Sequence, residues 1–199
     1  MVLPSAGVPR ETTARTFDLM ATTRHSREHV QPHFEFQTTP VNDRPTIYVD
    51  ADACPVKDEA VRVAERHGLE IHFVSNAFMR LPEGPLIKRV VVADGPDAAD
   101  DWIVERIGAG DIAVTADIPL AARCLKQAAQ VIGPTGKPFT QAGIGMALAM
   151  RELSAHLRET GESKGYNASF TRADRSRFLE ALEQAVQRAL RDRPAPPTA

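Results

Sequence analysis

The strongest constraint on this chain is the run Ile47-Tyr48-Val49-Asp50-Ala51-Asp52-Ala53-Cys54-Pro55. Its first half is short, apolar and rich in β-branched and aromatic residues, which reads as a buried strand. The run then ends in two carboxylates one residue apart. Pro55 suits the first position of a helix, where its missing N–H has no bond to lose. A buried strand that passes straight into a helix fits a parallel sheet covered on both faces.

The same unit recurs along the chain. Val56, Ala60, Val63, Ala64 and His67 form the apolar stripe of a helix that Gly68 ends. Ile71 to Val74 reads as a second strand landing on Ser75-Asn76, and Arg80 to Pro85 as a loop. Val90 to Val92 makes a third strand before the Asp94-Gly95-Pro96 turn. Ile112 to Val114 makes a fourth, running into Thr115-Ala116-Asp117. Between those two, Asp97 to Ile107 predicts a helix that opens on acids, as the helix dipole favours. Pro119 opens another helix, and Val131-Ile132 fits a short fifth strand. This alternation predicts an α/β domain with a mostly parallel sheet of four or five strands flanked by helices.

From Gln141 the pattern is helical only. Met146, Met150, Leu153 and Leu157 share one stripe. Thr171-Arg172-Ala173-Asp174 resembles a capping box, with Asp where Glu or Gln is usual. Phe178, Leu179, Leu182, Ala185, Val186 and Ala189 then line the last helix.

At 199 residues and 43% hydrophobic content, one domain over residues 46–191 is expected. Residues 1–45 read as a disordered or loosely attached N-terminal extension, and 192–199 as a flexible Pro-rich tail. His25, His29 and His33 have helical spacing, but Pro32 interrupts it, so a solvated tail is expected in preference to a metal stripe. No apolar run is long enough for a membrane span. The two cysteines stand far apart, and the N-terminus lacks a secretory apolar segment, so a cytoplasmic location is expected. A net charge of −2 shows no global basic surface, although it permits a nucleic-acid partner. The oligomeric state is left open.

The chemistry follows from the acids. Parallel strands deliver their carboxyl ends to one edge, where α/β proteins bind ligands. Asp50, Asp52 and Asp117 would meet there, and the helix starting near Asp97 would bring Asp97, Asp100 and Asp101. Two like charges 4 Å apart repel by roughly 4 kcal/mol at a surface-type dielectric, so such a cluster protonates or takes up a cation. Oxygen ligands without His or Cys favour Mg²⁺ or Mn²⁺, which points to metal-assisted phosphoryl transfer or hydrolysis. Plainer roles compete. Asp52 and Asp97 could cap helices, and one of Asp100 and Asp101 should face solvent. Lys57, Ser75, Asn76 and Thr115 are the candidate substrate-side residues, and Asp111 reads as a loop residue. Cys54 reads as a small buried side chain, because no nearby His would activate it.

Four ordered blocks resemble a known family. They are Val49-Asp50-Ala51-Asp52-Ala53-Cys54-Pro55-Val56-Lys57, Gly95-Pro96-Asp97-Ala98-Ala99-Asp100, Thr115-Ala116-Asp117-Ile118-Pro119-Leu120-Ala121 and Asp174-Arg175-Ser176-Arg177-Phe178. With them the chain from about 46 to 190 resembles the YaiI/YqxD family of bacterial proteins, which is similar in turn to PIN-domain nucleases. The resemblance implies a PIN-like three-layer fold. It places catalytic roles on Asp50, on Asp97 with Asp100 or Asp101, and on Thr115 with Asp117. The Glu162 to Asn167 segment departs from the Gly- and Pro-rich stretch expected there.

The leading expectation is therefore a Mg²⁺- or Mn²⁺-dependent nuclease acting on RNA or structured DNA. Two alternatives stand beside it. One is a haloacid-dehalogenase-like phosphatase using Asp50 and Asp52, with Ser75 and Lys88 on phosphate. The other is a non-catalytic RNA-binding module.

Overall fold

The computed structural model describes residues 44–52, 54–160 and 169–192. The expectations for the first 43 residues, for the 162–167 segment and for the tail beyond 192 lie outside the described residues. The elements are β1 (Ile47–Asp50), α1 (Lys57–His67), β2 (Ile71–Ser75), β3 (Ile87–Val91), α2 (Ala98–Val104) and β4 (Ile112–Val114). They continue with α3 (Ile118–Lys126), β5 (Gln130–Ile132), β6 (Pro138–Phe139), α4 (Gln141–Glu159) and α5 (Arg172–Asp192).

The strands form one sheet in the order β3-β2-β1-β4-β5-β6, parallel except for β6. The sheet is thus mostly parallel, as expected, with a sixth strand beyond the four or five read from the sequence. Val49 of β1 sits opposite Phe73 on one side and Val114 on the other. Side chains alternate across such a strand. Ile47 and Val49 accordingly join a core with α1 and α5, whereas Tyr48 joins a second core with α2 and α3. Helices cover both faces, giving three layers.

Tertiary contacts move several boundaries. Helix α1 begins at Lys57, two residues after Pro55, and no side chain caps it. Its start is held from α5 instead: Arg175 donates to the Pro55 carbonyl (3.0 Å) and to the buried Glu59 carboxylate (3.1 and 3.2 Å). Gly68 ends α1 in the left-handed conformation (φ 62°), as expected. β3 starts three residues earlier than its valine run suggests, because Ile87, Lys88 and Arg89 pair in register with β2. Asp111, expected in a loop, is buried, and accepts from the Thr46 N–H and the Gly108 N–H, both at 3.0 Å. It pins the chain at the amino ends of β1 and β4.

Helix α5 behaves as read. Thr171 N–H donates to Asp174 Oδ2 (2.8 Å) while Asp174 N–H donates to Thr171 Oγ1 (3.2 Å), a reciprocal cap that works with Asp. Phe178, Leu182, Ala185 and Val186 are fully buried. Helix α4 differs: its stripe lies largely in solvent, with Met146 70% and Met150 53% exposed, and Ile144 is packed against the second core. Among the described residues no helix is long and apolar enough to cross a membrane.

Candidate active site

The strand order reverses between β1 and β4, since the sequence runs outward from β1 to β3 on one side and from β4 to β6 on the other. Parallel α/β sheets open a crevice at the carboxyl ends of two such strands, because their connections leave in opposite directions. Here a cavity of about 390 Å³ occupies that place. It is lined by Asp50, Asp52, Asn76, Asp97, Asp100 and Asp117 together with Ala98, Ala99 and Ala116. Carboxylates from β1, from the start of α2 and from the β4–α3 junction thus share one space.

Each acid is placed by local structure. Asp50 closes β1, and the Thr115 hydroxyl donates to its Oδ2 (2.8 Å) across the β1–β4 pair. The same hydroxyl oxygen accepts from the Asp117 N–H (2.9 Å), so its one proton is directed at Asp50. Asp117 caps α3, accepting from the Leu120 N–H at 2.9 Å through Oδ1. Asp52 caps nothing on α1. Its Oδ2 accepts from the Asn76 N–H (3.3 Å), joining the ends of β1 and β2.

Asp97 is the least expected. It occupies the N-cap position of α2 with φ 61°, in the left-handed region, and its side chain makes no capping bond. Asp tolerates this backbone better than most residues, and a carboxylate withheld from capping remains available to the cavity. Asp100 and Asp101 part ways, since neighbours on a helix point about 100° apart. Asp100 lines the cavity, whereas Asp101 pairs with Arg123 (2.5 Å).

Crowding shows in the proton affinities. Burial, with the nearby charges of Asp50, Asp117 and Asp97, pushes the Asp100 pKa up to about 6. Burial also raises Asp50, with Asp52 and Asp117 adding to it, while the Thr115 hydrogen bond opposes the rise. Carboxylates that impede one another's ionisation form a site poised for positive charge. No three Asp, Glu, His or Cys side chains among the described residues are grouped tightly enough to clasp an ion alone. The acids that line the cavity offer oxygen donors only.

Asp100 binds its proton more tightly folded than unfolded, so without metal the folded state loses relative stability as pH rises from about 4 to about 6. Discounted for solvent screening, the effect is about 1 kcal/mol, or roughly 2–4 °C. In EDTA, the melting temperature of Asp100→Asn minus that of wild type should grow by this much between pH 4 and pH 7. A difference that stays flat across that range would contradict the crowding.

Ser75, Lys57 and Lys88 are not among the residues that line the cavity. Ser75 is buried, and its hydroxyl donates to the Ala77 carbonyl (2.7 Å). Lys57 opens α1, and its charge acts on the Cys54 thiol. Lys88 donates to the Pro85 carbonyl (3.0 Å). Burial drives the Cys54 pKa up to about 11, which suits a packed side chain and not a nucleophile. Arg123 went unnoticed in the sequence, where its four-residue distance from Pro119 on a helix carries no signal of an acidic partner on α2.

The family model described as "Uncharacterized BCR, YaiI/YqxD family" matches residues 48–188. A UPF0178 protein of Parvibaculum lavamentivorans is 64% identical over 150 residues, covering 75% of this chain and 98% of that relative. A UPF0178 protein of Rhizobium etli is 62% identical over 143 residues (72% and 92%), and one of Rhizobium meliloti 61% over 145 residues (73% and 99%). No solved structure matches the chain with statistical significance. The matched span runs from β1 into α5 and takes in every acid of the cavity, and on these grounds the chain belongs to the YaiI/YqxD family.

Proposed function

We propose that this protein hydrolyses phosphodiester bonds of RNA or structured DNA, using Mg²⁺ or Mn²⁺ held among Asp50, Asp97, Asp100 and Asp117, with Asp52 beside them. The supporting observation is the convergence of acids from three separate segments on one cavity at the β1–β4 crossover point. Their order along the chain also resembles that of PIN-domain nucleases. A bound ion would supply Lewis-acid activation of water and charge neutralisation at the phosphate. The chain's own groups do the positioning. Thr115 orients Asp50, the α3 amide holds one oxygen of Asp117, and the α2 turn presents Asp97 and Asp100.

The phosphatase alternative draws no support from Ser75 and Lys88, which bond backbone carbonyls and do not line the cavity. The test is incubation of end-labelled single-stranded RNA with purified protein in Mn²⁺, in Mg²⁺ and in EDTA. Cleavage in either metal that EDTA abolishes is expected. RNA left intact in both metals after long incubation would reject the proposal.

A further inference from the structure

A second cavity, of about 410 Å³, adjoins the acidic one, and Ala116 lines both. Its character is different. Phe139, Pro134, Pro138, Gly143 and Ala147 give it a mostly apolar wall, with Lys137 as its charged member. No ion-pair partner of Lys137 occurs among the described residues. Gly133 lines it as well, close to the Phe139 ring and the Lys137 carbonyl. The turn that carries these groups is fixed by hydrogen bonds from Gly133 N–H to the Lys137 carbonyl (2.8 Å) and from Gly136 N–H to the Gly133 carbonyl (2.9 Å).

An acidic compartment suited to a metal-bridged phosphate thus opens beside an apolar one with an aromatic ring and a single cation. The ligand that fills both has an anionic link and a flat, weakly polar body, which is the chemistry of a nucleotide. We infer that the second cavity is a base-binding subsite: it takes the nucleobase next to the phosphate held at the acids, with Phe139 against the base and Lys137 on the adjoining phosphate. The inference rests on the hydrolytic reading for where the phosphate sits. It deepens that reading by naming the substrate as a single strand, because a base in a duplex cannot leave its stack without cost.

Base–aromatic contact is tolerant of base identity and contributes about tenfold or more in affinity per base. The experiment compares binding of a fluorescein-labelled oligouridylate of about 12 nucleotides with that of an abasic ribose–phosphate strand of equal length, by anisotropy in Ca²⁺. Wild type should prefer the uridylate at least tenfold. Phe139→Ala should erase most of that preference. So should Ala147→Leu, which fills the cavity from α4 and leaves the half-buried ring in place. Lys137→Gln should weaken both strands and lower the slope of log affinity against log salt by about one. Equal binding of the two strands by wild type overturns the subsite, as does a tenfold preference that survives in both cavity variants. Cleavage in Mn²⁺ is followed on the same strands. Cleavage without base preference sinks the subsite and spares the hydrolytic reading. Base preference without cleavage does the reverse.

Discussion

Asp50→Asn is expected to lower Mn²⁺-dependent RNA cleavage about 1,000-fold while leaving the fold intact. The side chain stays the same size, and its amide oxygen can still accept from the Thr115 hydroxyl. What disappears is the central negative charge, at the end of β1, where the strand order reverses. Losing about 4 kcal/mol of charge stabilisation corresponds to that factor. Because burial, with Asp52 and Asp117 nearby, already makes Asp50 ionise reluctantly, the metal-free variant should melt no lower than wild type. Asp101→Asn is the matched control. That carboxylate belongs to the exposed Arg123 pair, and its loss should cost less than a few-fold. Single-turnover rates at saturating Mn²⁺ measure both. An Asp50→Asn rate within tenfold of wild type would remove Asp50 from the chemistry.

The second large effect concerns stability. Gly136→Ala should destabilise the protein by about 3 kcal/mol, whereas Gly145→Ala should stabilise it by roughly 0.5–1 kcal/mol. Gly136 has φ +82°, and a Cβ there would lie 2.6 Å from both the carbonyl carbon and oxygen of Arg177 and 2.9 Å from the Phe178 nitrogen. Those are backbone atoms of α5, a helix anchored by the fully buried Phe178, so they cannot yield cheaply. The left-handed backbone adds its own cost for any residue with a Cβ. Gly145 lies inside α4 with nothing within 4 Å of its would-be Cβ, so helix propensity alone decides the sign. Urea unfolding of the two variants should displace the midpoint in opposite directions. A Gly136→Ala midpoint equal to wild type would mean that the turn and α5 separate easily.

The sheet and half of the site were legible because both follow from local pattern. Short apolar runs that end in Asp50 and in Thr115-Ala116-Asp117 declare strand ends, and parallel topology does the rest. The terminal helix was equally plain, since its cap and its buried stripe agree. Other features depend on contacts that no local pattern encodes. Nothing in Asp100-Asp101 says which of the two turns inward, because that depends on how α2 rotates over the sheet. Asp97 offers a capping residue at a capping position, yet its left-handed backbone leaves the side chain uncommitted. β6 is two residues long and begins with proline, below any period that could announce a strand. The stripe on α4 reads as core by spacing, and only the fold reveals that most of it is not covered by the rest of the domain.

The two rims of the sheet have a consequence for how this protein behaves when crowded. On one side β3 presents Lys88 and Arg89, with Pro85 just before it; on the other β6 presents a two-residue stub led by Pro138, which has no N–H to offer. A foreign strand needs a row of unsatisfied amides to latch onto, and charge and proline are effective deterrents. The most aggregation-prone segments, the runs around Val49 and Val114, lie in the middle, paired on both sides. Fibrillar association through the folded state is thereby discouraged at both margins.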